Sequence, residues 1–195
     1  FNIVIQGGAV LAVIPLFWKQ FSGMMFGLHE ANNRDLLAKL LVAFVITAVG
    51  GYILDKRGFR LPEQLEPVAW ALIVGGVGIF FVEFAEKHRV PIERITWPLA
   101  VAFGLAQVIA AVFPGLSRSG ATIMLAMLLG MSRSSATEFT FLLGVPTILA
   151  AGALKLFKAL KGTEAVEGHG WFHMAVGFTV AAVSSFFVVK WLIRY

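Results

Sequence analysis

Cysteine is absent from this chain and charge is scarce: 14% of its residues are Asp, Glu, Lys or Arg, where soluble domains carry about 25%. The missing thiols exclude a disulfide framework and thiolate metal sites. The thin charge excludes a soluble globule, because 58% hydrophobic residues at a mean hydropathy of +0.84 leave too little polar surface to cover a core. There is no Walker loop, dinucleotide fingerprint or zinc motif. His29, His88, His169 and His173 fall in loops or at span ends, and each reads as a surface residue. The net charge of +5 is spread over several loops without a basic, aromatic-interleaved stripe, so no nucleic-acid partner is expected.

What is present is apolar length. The chain reads as an all-α, polytopic integral membrane protein whose 18 phenylalanines and 5 tryptophans meet membrane lipids and their interfaces. Phe1–Trp18 is long enough to span, and a polar loop with Lys19, His29, Glu30, Arg34 and Asp35 follows. A second span runs from about Leu36 to Leu54, with Lys39 placed to snorkel. A third runs from Pro67 to about Ala85, with Gly75, Gly76 and Gly78 permitting close packing. Later spans cover Phe139 to about Leu156, with Pro146 inside, and Trp171 to Leu192, across a polar loop with Lys158, Lys161, Glu164 and Glu167. Basic residues are balanced between alternate loops, so they set no orientation.

The stretch between the third span and Phe139 behaves differently. Leu99–Phe113 stops at Pro114-Gly115, and Gly120–Met131 stops at Ser132-Arg133-Ser134. Neither piece crosses a bilayer alone, which predicts a re-entrant, broken helix over about 99–131. One kinked helix running through the proline is the alternative. Phe1–Ala12 also aligns faintly with Phe139–Ala150, and each copy is followed by a polar loop and one more span. That pattern suggests paired repeats, 1–66 and 67–195, within a single membrane domain. The chain starts in an apolar run and stops abruptly at Tyr195, so both ends read as cut edges.

Between the two short helices lies Pro114-Gly115-Leu116-Ser117-Arg118-Ser119-Gly120-Ala121-Thr122. A cationic, hydroxyl-rich turn in hydrocarbon costs several kcal/mol unless something pairs with it. An anion rich in acceptor oxygens, such as a phosphate, suits it. The Arg118 guanidinium offers a planar fork, Ser117, Ser119 and Thr122 offer hydroxyls, and the second helix offers its positive N-terminus. Gly115 and Gly120 allow close backbone approach or positive φ. The competing reading makes the serines helix caps and lets Arg118 snorkel. The turn contains no His, Asp or Glu to activate a nucleophile. Glu138 is placed to pair with Arg133 or Arg118, and Glu83 and Glu86 read as interfacial. Gln6 and Gln107 read as interhelical hydrogen-bonding residues, and the glycines at 7, 8, 50 and 51 as packing positions.

Gln107, the segment Phe113–Thr122, Gly130-Met131-Ser132-Arg133 and Ala136–Pro146 together resemble the undecaprenyl-diphosphatase family of the bacitracin-resistance type, and the resemblance extends over the whole chain. It implies a bacterial inner-membrane enzyme that hydrolyses undecaprenyl diphosphate to the monophosphate on an inverted-repeat fold with two re-entrant regions. Carried onto this sequence, Arg118, Ser117, Ser119 and Thr122 form the catalytic set. Gly115, Gly120, Glu138 and Gln107 contact substrate. The resemblance also implies a prenyl diphosphate lipid as substrate, assistance by Mg2+ or Ca2+ through unassigned ligands, and admits a homodimer. The family's glutamate-rich motif ending Ser-Ser-Thr-Gly-His is expected upstream of Phe1, so these residues are expected to be half a site and inactive alone. A transporter or flippase of an anionic lipid or small anion is the alternative function, since broken helices serve alternating access equally well.

Overall fold

The computed structural model describes residues 2–59, 65–86, 91–113, 115–160 and 171–194. His88, His169, Lys161, Glu164, Glu167 and Pro114 lie outside them. Among the described residues the chain is all-α: α1 (Asn2–Leu16), α2 (Trp18–Phe26), α3 (Ala31–Lys56), α4 (Leu65–Glu86), α5 (Trp97–Val112), α6 (Arg118–Leu128), α7 (Arg133–Leu160) and α8 (Trp171–Arg194). Helices α3, α4 and the Arg133–Leu154 stretch of α7 are long and apolar enough to cross a membrane.

The helices form two compact units. One comprises 1–28 and 144–195. Here α1 packs on α8 so closely that a Cβ at Gly8 would lie 2.4 Å from the Phe178 carbonyl oxygen. The expected straight span Phe1–Trp18 is instead a corner. Helix α1 ends at Leu16, just beyond Pro15, and α2 departs at 81°. Proline removes a helical N–H and crowds the preceding turn, and Phe17, the residue at the bend, is buried. The polar loop read from Lys19 onward therefore begins as a helix, because Trp18–Phe26 carries enough Phe and Met to pack.

The other unit, 29–143, holds the re-entrant segment. Helix α3 begins at Ala31, so Arg34 and Asp35 occupy its first turns rather than a loop. It lies tightly along α5: a Cβ at Gly104 would come 2.8 Å from Ile46 Cβ and 2.9 Å from the Ala43 carbonyl oxygen, and one at Gly50 would meet Val108 at 2.4 Å. The Thr47 hydroxyl donates to Ala43 (2.9 Å) within α3 and reaches the Gly104 carbonyl across to α5 (3.4 Å). Phe103 of α5 and Phe139 of α7, both fully buried, pack with tilted rings, centroids 4.7 Å apart. Gly7, Gly51 and Gly76 meet nothing within 4 Å, so the close-packing role falls to Gly8, Gly50 and Gly104.

Helices α5 and α6 pack side by side as a hairpin. The Ile92 amide donates to the Gly130 carbonyl (2.8 Å), and the Ser132 amide donates to the Ile92 carbonyl (3.0 Å), forming a parallel bridge between Ile92 and Met131. The residues leading into α5 and out of α6 are thus bonded to each other. A continuous helix over 97–128 would hold its ends about 48 Å apart at ~1.5 Å per residue. The kinked through-helix is excluded and the re-entrant form is what the chain adopts.

Candidate functional site

The hairpin tip is built by local rules. Thr96 precedes α5 and Pro98 sits in its first turn, where a missing N–H costs nothing. Phe113 ends the helix in an extended conformation (φ −100°, ψ 103°), as a residue before proline prefers. Gly115 has φ +93°, and a Cβ there would sit 2.7 Å from the Val68 carbonyl oxygen of α4. Only glycine combines that handedness with that approach. At the other end, Gly130 (φ +92°) closes α6. Its amide bonds Met127 and the Met131 amide bonds Ala126 (2.8 and 2.9 Å), the paired pattern of a glycine-terminated helix.

Helix α6 starts earlier than the sequence suggested, with Arg118 as its first residue. Ser117 is the N-cap: its Oγ accepts from the Gly120 amide (3.2 Å) and its carbonyl accepts from the Ala121 amide (2.8 Å). The capping half of the competing reading therefore holds for Ser117. The first amides of a helix lack intrahelical acceptors; with Gly120 and Ala121 satisfied, those of Arg118 and Ser119 remain for a ligand. Gly115, Ser117, Arg118 and Ser119 are exposed, and Ser117 Oγ stands 3.3 Å from Ser119 Oγ. Among the described residues Arg118 has no acidic partner.

The other expected site residues are placed differently. Thr122 is fully buried; its hydroxyl faces the Arg118 and Ser119 carbonyls (3.0 and 2.9 Å) and accepts from Thr140 (3.1 Å). It ties the first turn of α6 to α7. Gly120 backs onto the Ser117 side chain at ordinary φ. Gln107 is buried in α5 with its Oε1 unpaired, and Gln6 is exposed, so neither shows the expected interhelical bond among the described residues. The Arg133 guanidinium donates to Glu83 of α4, and the expected ion pair of Glu138 with Arg133 or Arg118 is not found among the described residues. Glu138 instead lines a cavity of about 650 Å³ at the hairpin base, together with Asp35, Lys39, Glu93, Arg94 and Trp97.

Lys39 is the residue the sequence misjudged most. Its ammonium does not snorkel. It is buried, paired with Asp35, donates to the Ile95 carbonyl (2.6 Å) and lies 5.6 Å from the Trp97 ring centroid. A lysine one helical turn after an aspartate was the available signal, but Ile95 is remote in sequence. His29 is exposed, His173 is exposed beside Phe172, and among the described residues no three His, Asp or Glu side chains gather.

A cationic, amide-rich helix start held at the tip of a re-entrant hairpin is chemistry for an anion presented within a membrane. Residues 1–195 match the family described as bacitracin resistance protein BacA. An undecaprenyl-diphosphatase of Rhizobium etli (strain CIAT 652) is 48% identical over 196 residues, spanning all of this chain and 74% of that protein. One of Rhizobium johnstonii is 49% identical over the same share, and one of Xylella fastidiosa (strain Temecula1) is 48% identical across 75% of its length. With a family match over residues 1–195 and nearly half of the aligned positions identical across the full chain, the conclusion is direct: this chain belongs to the bacitracin resistance protein BacA family.

Proposed function

We propose that the α5–α6 tip grips the diphosphate of a prenyl lipid for hydrolysis. The reaction is conversion of undecaprenyl diphosphate to undecaprenyl phosphate and phosphate, by a multi-pass enzyme of the bacterial plasma (inner) membrane that returns the cell-wall lipid carrier to use. The observation that carries the site is Arg118: exposed, first in its helix, beside two free amides and without an acidic partner among the described residues.

In this reading the guanidinium fork donates to two non-bridging oxygens of the distal phosphate, and the Arg118 and Ser119 amides with the Ser119 hydroxyl donate to the rest. Oxygen derived from water attacks the distal phosphorus. The new P–O bond forms as the bridging P–O bond breaks, and the bridging oxygen leaves with the lipid monophosphate. Charge developing on the equatorial oxygens is what the clamp stabilises. Ser117, Thr122, Gly115 and Gly120 act on the backbone that presents the clamp. The Gly115–Thr122 segment holds no His or carboxylate, so activation of the water is assigned to the acidic, histidine-bearing motif that the family resemblance implies. Mg2+ or Ca2+ assistance also rests on that resemblance. The tip offers a hard cation no carboxylate.

Full-length protein in detergent is expected to release phosphate from a long-chain prenyl diphosphate, and Arg118→Ala to lower that rate about 10³-fold. Transfer of the lipid across vesicles without phosphate release would overturn hydrolysis in favour of transport. Release by Arg118→Ala within tenfold of wild type would remove Arg118 from the clamp.

A further inference from the structure

Lys39 is the only charged residue in the buried class among the described residues. A buried cation in a membrane segment is costly, and a well-packed apolar side chain would stabilise the same spot at least as well. What the cation adds is direction. From α3 it reaches one acceptor outside its own helix, the Ile95 carbonyl, immediately ahead of the Thr96 cap of α5. Asp35 holds the ammonium from one side, and the Trp97 ring lies against it.

We propose that Lys39 is a positioning residue for the phosphatase reaction, setting how far α5 reaches along α3 and therefore where Arg118 meets the diphosphate. This rests on Arg118 being the clamp. The close contacts at Gly50 and Gly104 set the separation of α3 and α5. The Lys39–Ile95 bond fixes their axial register at the first turn of α5. From there α5 is a rod of 16 residues, about 24 Å long, and the Ile92–Met131 bridge ties the start of α5 to the exit from α6. A shift at Ile95 cannot be absorbed inside the hairpin and is carried to its tip. Misplacing a catalytic group by about 1 Å costs on the order of 10²-fold in rate.

The test is Lys39→Met made in the wild-type and in the Arg118→Lys background, assayed as phosphate release from prenyl diphosphate by full-length protein. In wild type, kcat is expected to fall about 10- to 100-fold while KM changes by less than about threefold. In Arg118→Lys, whose tip is already misaligned, the same change is expected to lower kcat by less than about threefold, because the two residues act through one geometry. Lys39→Arg, which can still reach Ile95, is expected to recover most of the rate. An equal fall in both backgrounds, or an unchanged kcat in wild type, overturns the proposal. Where Lys39→Met yields no folded protein, Asp35→Asn carries the same comparison, with an expected fall of about 3- to 10-fold in the wild-type background. The two readings fail separately. An active Arg118→Ala removes the clamp, whereas an inactive Arg118→Ala beside a fully active Lys39→Met removes only the positioning role.

Discussion

Two Ser-Arg-Ser tripeptides start helices in this protein, and they have opposite fates. Ser117 caps α6 and Ser132 caps α7, each offering its Oγ to the amide three residues on (3.2 and 3.3 Å), with the arginine as first helical residue. Arg133 is matched by Glu83 from the neighbouring α4. Arg118, displayed at the far end of the hairpin, has no acid among the described residues. The same tripeptide becomes a fastening in one place and, in the proposed reading, an anion receptor in the other. What separates the two arginines is whether the fold delivers a carboxylate.

That contrast can be pressed from its largest effect downward. Arg118→Ala is expected to slow phosphate release about 10³-fold, with thermal unfolding in detergent little changed. Gly115→Ala comes next. It forces a side chain into left-handed backbone beside Val68, for a strain of about 1–3 kcal/mol, and is expected to lower both unfolding temperature and turnover as the clamp is pushed from its place. Ser117→Ala and Ser132→Ala each remove a cap and are expected to cost about 1 kcal/mol in denaturant unfolding. Only Ser117→Ala should also depress turnover. Arg133→Ala is expected to have the smallest effect, below about 1 kcal/mol, since the pair with Glu83 is roughly half exposed on both sides. Were Arg133→Ala to cripple turnover as severely as Arg118→Ala, the division between fastening and receptor would collapse.

The parts legible in advance were those governed by local rules. Hydropathy and length marked the spans, and the shortness of the two pieces flanking Gly115 marked the hairpin. A serine ahead of an apolar run marked the α6 cap. The misreadings have a common cause. Trp18–Phe26 is too short and mixed to announce a helix, and it forms because Phe17 and Met24 are buried. Lys39 looked like a snorkelling residue because its partner Ile95 is 56 positions away. Glu83 gave no sign of its ion-pair partner because Arg133 is 50 positions away. Thr122 looked like a ligand-facing hydroxyl, yet it turns inward to backbone carbonyls and to Thr140.

By itself, then, the amino-acid order determined an all-α membrane protein with a broken helix, and the arginine, serines and glycines at the break. Those outcomes follow from apolar run length, from proline and glycine backbone preference, and from capping, all of which act within a few residues. Which arginine stays open to an anion, which lysine is buried, and which glycines bear a neighbouring helix were decided only by the tertiary structure. A charge is free or paired, and a hydrogen available or spent, according to what distant segments bring within about 3 Å, and nothing local encodes that distance.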